Sequence, residues 1–479
     1  MTSAKKSQSH LFTLLLLACT VVSPAAMGAA PANTQTVMLD AELRAQAVDL
    51  DNGDLDTSGG DNLGTVALDA RLRLTAHLSD NALFFGEGRG VASAGRGSVE
   101  SADTGALSGG DSFLELRQAY FEFDNLAGAP LSARAGRQKF REPYGVWWNR
   151  NFDALRLSYD TTLFAGSIAA GENLFTYRTH GSSLSEKDKD VSRVLAEGSW
   201  QYYYENFIEA RALYQDDHSD VSVGDIQTPD NFDDGDSNLF WGGIRAAGKA
   251  HFPGSDKDKL AYRLDFMGLT GHEHLATTTP SGSSRLVTAV DGRSVRGWGL
   301  DAATDIPLPN AWPILHLGYA YGSGDGDTSD SRDHAFRQNG LKGNFSKFGA
   351  LSENTDNYGT VLRPELSNIH IVSAGLTMPV MEASDIGAVY RYYRLADLAT
   401  SLMSSGVDDT LTGTSRSLGQ GVDFLFNMDV LKEAHLTATN RVQDVKFRSS
   451  LGFFKAGKAY GTAEDEVAAR GLVEVKVGF

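Results

Sequence analysis

The chain has 479 residues, with 51 Gly, 12 Pro, a single Cys and a formal net charge of −18. An acidic balance of that size excludes nucleic acid as the main partner, because such binding gains from counterion release at clustered Lys and Arg. One cysteine gives no disulfide framework, and the length fits either about two to four soluble domains or one large all-β barrel.

The first segment is a targeting sequence. Lys5 and Lys6 precede an apolar run from Leu11 to Val22, and small residues follow at Ala25, Ala26, Gly28, Ala29, Ala30 and Ala32. That layout predicts a signal peptide over 1–32, Sec-type export, and one domain over 33–479. Leu16-Leu17-Ala18-Cys19 resembles a lipobox, which would make Cys19 a lipidated first residue. Against it, the apolar stretch runs on to the small-residue sites. No later run reaches the roughly 18 apolar residues of a transmembrane helix.

Strict alternation begins near residue 37. Val37, Leu39, Ala41 and Leu43 oppose Asp40, Glu42, Arg44 and Gln46; then Val66, Leu68, Ala70, Leu72 and Leu74 oppose Asp69, Arg71 and Arg73. Strand side chains alternate between two faces, so each segment has one apolar and one charged face. Charges at that density cannot line a dry core, but they can line water. Eighteen such strands are predicted, at 36–48, 65–79, 82–95, 112–124, 131–141, 151–160, 163–172, 191–204, 206–216, 237–252, 258–270, 293–306, 312–324, 365–379, 383–396, 416–430, 434–454 and 466–479.

The links between them alternate long and short. Ser79–Ala82, Asp160–Leu163, Tyr204–Asn206 and Pro379–Ala383 are short; 48–65, 95–112, 172–191, 216–237, 270–293, 324–365 and 396–416 are long. An even strand count with this alternation predicts a transmembrane antiparallel β-barrel of the outer membrane, with short periplasmic turns and long extracellular loops. The long loops carry much of the acid, as in "DNFDDGDSN" at 230–238 and "GDGDTSDSRD" at 324–333. Trp147, Trp148, Trp200, Tyr202, Tyr204, Trp298, Trp312, Tyr319 and Tyr321 fall near strand ends, where aromatic girdles against lipid are expected. The chain ends on "VEVKVGF", with Phe479 on the apolar face of a last closing strand.

No catalytic constellation is present, which predicts a protein that is not an enzyme. A Gly-x-Ser-x-Gly elbow and a cysteine nucleophile are both missing. His272-Glu273-His274 lacks the spacing of a helical zinc motif. Asp325, Asp327 and Asp330 resemble part of a calcium loop, but its sixth position is Asp330 where Gly is required; no cofactor is predicted, with loop calcium an open alternative. Gly86-Glu87-Gly88-Arg89-Gly90 follows a strand without a helix after it, so bends in a strand fit better than a phosphate cradle.

The distinctive feature is cations at lumen parity. Arg71 and Arg73 lie on the second strand, Lys446 and Arg448 on the seventeenth, and Arg117, Arg134, Arg137, Lys139, Arg141 and Arg156 crowd 112–160. A ring of Arg and Lys in a water-filled pore selects anions, and low-dielectric walls focus its field. Asp69, Glu115 and Asp160 are the expected partners of part of this set.

Four stretches carry a resemblance. They are "GRQKFREPYGVWWNRNFDALRLSYD" from 136, "YAYGSGDGDTSDSRDHAFRQNGLKGN" from 319 with "NYGTVLRPELSN" after it, "LGQGVDFLF" at 418–426, and "FFKAGKAYG" at 453–461. Together they resemble the alginate export family of outer-membrane proteins over nearly the whole mature chain. The resemblance implies an eighteen-stranded monomeric barrel that secretes a polyuronate through an electropositive constriction. Position by position, it places constriction cations on Arg71 ("LDARL"), Arg117 ("LELRQ"), Lys139 ("GRQKF"), Arg363 ("VLRPEL") and Lys446 ("DVKFR"), with Arg141 and Arg448 beside two of them. Lys139 and Lys446 stand where the family has Arg, which keeps charge but loses the planar fork. Glu42 falls where a lysine is expected unless Arg44 takes its role, and Asn149 and His180 replace aspartates. Asn354 replaces a cation, and the periplasmic plug near 430–441 is shortened.

The implied partners are an anionic polysaccharide, outer-membrane lipid and periplasmic secretion proteins. The loops at 95–112 and 324–365 are expected to fold inward. A general uptake porin for small carboxylates or oligouronates is the alternative, separated by competition between long and short uronates.

Overall fold

The computed structural model describes residues 36–479, except 58–60, 102–104, 180–183, 185–187, 229–231, 252–258, 309–312, 328, 409 and 440–441. The signal segment with Cys19, and also His180 and Trp312, therefore lie outside the described residues.

Eighteen antiparallel strands form the wall. They are β1 Val37–Asp51, β2 Asn62–Ser79, β3 Ala82–Gly95, β4 Ser112–Phe123, β5 Leu131–Arg141 and β6 Asn149–Asp160. Next come β7 Phe164–Glu172, β8 Val191–Tyr203, β9 Asn206–Asp217, β10 Gly235–His251, β11 Lys259–Ser281 and β12 Ser284–Pro307. The set ends with β13 Ile314–Gly322, β14 Ile369–Met381, β15 Ser384–Leu395, β16 Ser417–Asp429, β17 Asp444–Ala456 and β18 Val467–Gly478. β1 pairs with β18 from Glu42↔Gly478 to Asp51↔Ala469, which closes the barrel by joining its first and last strands. Phe479 donates its N–H to the Ala41 carbonyl at 2.9 Å, so the terminal aromatic belongs to the closing seam.

The alternation read from sequence holds. On β2, Val66 and Leu72 are exposed on the outer face while Asp69 and Arg71 are buried inside. Phe121, Phe123, Tyr159, Phe164, Trp200 and Tyr202 ring the short-turn end, and Phe266, Trp298 and Tyr321 pack together on the other side of the band. No helix among the described residues is long and apolar enough to cross a membrane; the strands do so.

Two expectations are corrected. Trp147 and Trp148 are not girdle residues: each is 2% exposed, in a cluster inside the barrel. The stretch 270–293 is not a loose loop, because β11 and β12 run on as a long hairpin joined through Ser281↔Ser284. Among the described residues of the connection after β16 there is a four-residue helix, α1 Val430–Glu433, capped by Asp429.

The wall is uneven at one seam. β4 and β5 pair over five residue pairs only, Ala119↔Arg137 to Phe123↔Ala133. Next to the upper end of that pairing, Gly136 opposite Tyr120 has φ +122°, and a Cβ there would lie 2.3 Å from the Ala119 carbonyl oxygen. The glycine permits a bend no other residue tolerates well. β6 also leaves β7 above Asp153↔Glu172, so the top of the β5–β6 hairpin peels inward. Phe140 stacks on Phe152 at 4.3 Å, and both join Trp147 and Trp148 in the interior cluster. Segment 177–179 fills the vacated place: Leu116 donates its N–H to the Tyr177 carbonyl at 3.0 Å, and Thr179 donates to the Leu114 carbonyl at 2.9 Å.

Candidate functional site

The lumen is shaped by three infolded pieces of chain. The connection 142–148 enters between the walls and is held by Arg245 on β10. That guanidinium meets Glu142 at 2.8 Å, Asp265 at 2.6 Å and Glu209 at 3.3 Å. Tyr144 lies under both Arg245 and Arg263, with guanidinium carbons 4.6 and 4.4 Å from its ring centre. Trp147 donates its indole N–H to Asp265 at 3.0 Å.

The connection 323–368 goes deeper. Asn149 donates its N–H to the Leu341 carbonyl near the extracellular end. Lower down, Ala350 donates its N–H to Thr377 Oγ1 at 2.8 Å and Ser352 to Asp385 at 3.0 Å, close to the short-turn end. On the way back Tyr358 donates its hydroxyl to Asp301 at 2.7 Å, and Thr360 donates to Asp423 at 2.5 Å. Asp423 also binds Arg391. The expected infolding of 324–365 is therefore observed. The 95–112 connection folds in as well, placing Val99 and Leu107 against Val48, Ala67, Val91, Phe113 and Leu472 above the β1–β4 wall.

Below that cap is a ladder of charge. Arg71 binds Asp69 at 2.7 Å and reaches Glu42 at 3.8 Å. Arg89, opposite Arg71 in register, binds Glu115 at 2.5 Å and Asp69 at 3.5 Å. Arg117 contacts Glu87 at 3.3 Å, and Arg73 bridges Glu42 and Glu87 at 3.2 and 3.4 Å. Arg44 meets Glu42 at 3.0 Å and Glu474 at 3.7 Å. Asp69 and Glu115 are thus the partners expected of them; Asp160 instead lines a cavity of about 410 Å³ with Arg134, Arg141, Arg156 and Arg211.

The remaining predicted residues lie apart from that ladder. Lys139 is half-buried on the infolded hairpin, its N–H donating to Gln118 Oε1 at 3.1 Å. Arg141 is exposed at the top of β5. Arg363 is half-buried in the inner loop with φ +45°, an unusual conformation for a non-glycine residue. Lys446 meets Glu353 at 3.0 Å, and Arg448 is buried opposite Glu474 on β18. Glu42 and Arg44, the pair left open by sequence, are bonded to each other.

Sequence reasoning missed Arg89, Arg211, Arg245 and Arg391 as lumen cations. Arg89 was hidden among glycines. The others carry the same parity signal as Arg71, since each shares a face with its cross-strand carboxylate. Among the described residues no group of three or more metal-ligating side chains gathers; Asp325 and Asp327 accept backbone N–H groups of their own turn, and Glu273 binds Arg293 and Arg337.

A closed eighteen-stranded barrel with an apolar outer band and a charged, loop-narrowed interior defines an outer-membrane porin. Its fold is shared with solved porins at low identity: OccAB1 of Acinetobacter baumannii superposes with TM-score 0.54 at 10% identity, covering 92% of this chain and 96% of that one. The chain belongs to the alginate export family, whose model matches residues 36–474. It is 28% identical over 445 residues to the alginate production protein AlgE of Pseudomonas aeruginosa, covering 88% of each chain. The corresponding protein of Pseudomonas syringae is 25% identical over 390 residues, covering 76% of this chain and 75% of that one.

Proposed function

We propose that this porin secretes an alginate-like polyuronate across the outer membrane. Family membership joined to the arginine ladder of β1–β4 carries the reading. Each uronate bears one carboxylate, so the polymer is a polyanion of regular spacing. The ladder offers guanidiniums already matched to carboxylates, and transit exchanges a protein partner for a polymer partner at each step. Such exchange keeps binding favourable enough for entrance and weak enough for exit.

Arg71 and Arg117 are the proposed selective cations on the wall, with Arg363 on the inner loop. Lys139, Arg141, Lys446 and Arg448 extend the path above and below. The barrel closes within one chain, which supports a monomer, and its short turns are the surface for periplasmic secretion proteins.

Single-channel recording in a planar bilayer tests the reading, with reversal potential under a salt gradient and titration with polyuronate and a neutral glycan. Anion selectivity with block by the polyuronate alone is expected. Anion selectivity without polymer block would replace this reading with small-carboxylate uptake, and cation selectivity would remove both.

A further inference from the structure

The inner loop carries a carboxylate of its own to the periplasmic mouth. Glu353 lies beyond the loop's apolar tip, with Oε1 3.0 Å from Lys446 Nζ. The two side chains are 25% and 36% exposed, so solute reaches both. Around them is a cavity of about 330 Å³ bounded by Ser352, Glu382, Ser384, Asp385, Asp429 and Lys432. It opens where β17 begins and β16 ends, the end at which β1 starts, β18 finishes and the short turns lie. In an outer-membrane barrel that end faces the periplasm, where an exported polymer arrives.

The loop tip does not depend on Glu353 for its position. Phe348 and Leu351 are buried against Val389 and Leu425. The N–H groups of Ala350 and Ser352 are bonded to Thr377 and Asp385 on the wall. Glu353 therefore adds a charge at Lys446 to a loop already seated.

We propose that this cavity is the first docking subsite for a uronate carboxylate, and that Glu353 is a resident carboxylate occupying Lys446 until the polymer displaces it. This deepens the polyuronate reading and rests on it. The exchange swaps one carboxylate for another at the same ammonium, and the displaced Glu353, already a quarter exposed, turns to water. Lys432, exposed and 3.1 Å from Asp429, gives a second cation for the next uronate.

The device also sorts anions by valency. A tethered competitor acts at an effective concentration on the order of millimolar. A dilute small anion must outcompete it with one contact, whereas a polyuronate brings many carboxylates on one chain. Glu353 thus makes the mouth selective for polymer over free monovalent carboxylate.

The test is block of single-channel current in the full-length protein by a mannuronate hexamer, added to each side in turn. Glu353→Gln should tighten block from the periplasmic side by about two- to five-fold, the range of a partly exposed ion pair. Lys446→Gln should weaken it, and the double variant should match Lys446→Gln alone. Wild-type block with no change in Glu353→Gln overturns the inference and leaves the polyuronate reading standing. Equal tightening in the Lys446→Gln background also overturns it, because the effect would then be the general field of the mouth. Absence of block in the wild type removes the polyuronate reading and the inference with it.

Discussion

Arg245 and Glu142 are joined at 2.8 Å deep inside the barrel, although one belongs to the wall and the other to an extracellular connection. Arg245 is 0% exposed. A buried pair persists only when its remaining donors and acceptors are met, and here they are. Glu142 accepts N–H groups from Tyr144 at 3.0 Å, Val146 at 2.5 Å and Trp147 at 3.2 Å, while Asp265 and Glu209 complete the guanidinium. The pair turns a loop into part of the lumen wall.

Removing the cation should free that loop. Arg245→Met leaves two buried carboxylates without their partner, a loss of about 3–5 kcal/mol for a pair of this kind. Faster hydrogen exchange at the Val146 and Trp147 amides is expected, with a rise in single-channel conductance. Unchanged exchange would show that the tryptophans alone hold the loop. Acid should act in the same direction. Burial pushes the Glu142 carboxyl up, but Arg245 and Arg211 more than offset this and hold it below the ordinary 4.5. A lowered carboxylate pKa stabilises above its unfolded value and loses that contribution as pH falls through the folded one. Loop release is therefore expected only below the ordinary glutamate range.

The arginine ladder makes a separate prediction. Arg117→Ala with Arg363→Ala removes one cation from the β4 wall and one from the inner loop. Anion selectivity, read as reversal potential under a salt gradient, should fall while the barrel keeps its heat-modifiable mobility in SDS gels. An unchanged reversal potential in the folded double variant would mean that neither residue faces the conducting path.

The reach of sequence reasoning follows from where each face sees lipid. Along β2 the contrast between Val66 or Leu72 and Asp69 or Arg71 marks the strand, its faces and its lumen cations together. Above the lipid the contrast fades. From Ala276 to Ser281 no residue of β11 is buried on either face, so the extension of that hairpin left no periodic signal. Trp147 and Trp148 show a different limit. A tryptophan near a strand end suits an interface, and only the tertiary bend at Gly136 turns these two inward. Arg363 was legible as a cation, but its backbone strain and its place on the infolded loop come from the way 323–368 is pinned to β12 and β14–β16.

The short β4–β5 seam should be the barrel's most easily opened place. Tyr177 donates its hydroxyl to Asp153 at 2.6 Å, and the Arg137 guanidinium lies 3.9 Å from its ring centre. These contacts keep segment 177–179 against β4. Tyr177→Phe removes a hydrogen bond to a charged group, about 1.5–3 kcal/mol. Exchange at the Leu116 and Thr179 amides should rise at least tenfold, with amides of the β11–β12 seam unchanged. A uniform rise across the barrel would indicate global destabilisation and not a local latch.

The inner loop gives the last prediction. Gly359 has φ +107°, and a Cβ there would fall 2.2 Å from the Tyr393 hydroxyl oxygen. That hydroxyl donates to the Tyr358 carbonyl at 2.9 Å, and the Tyr358 side chain in turn holds Asp301. Gly359→Ala therefore strains the backbone and displaces the tyrosine that pins the returning limb, a cost of about 1–3 kcal/mol. Because the limb is also tied through Thr360 to Asp423, it should loosen without leaving the lumen. The expected signature is a noisier channel with higher mean conductance, and Tyr393→Phe should reproduce a milder form by removing the hydroxyl without adding a clash. If Gly359→Ala conducts like the wild type, the inner loop does not narrow the path. Conduction would then have to run along the β1–β4 ladder alone, away from the β12–β16 wall to which this loop is fastened.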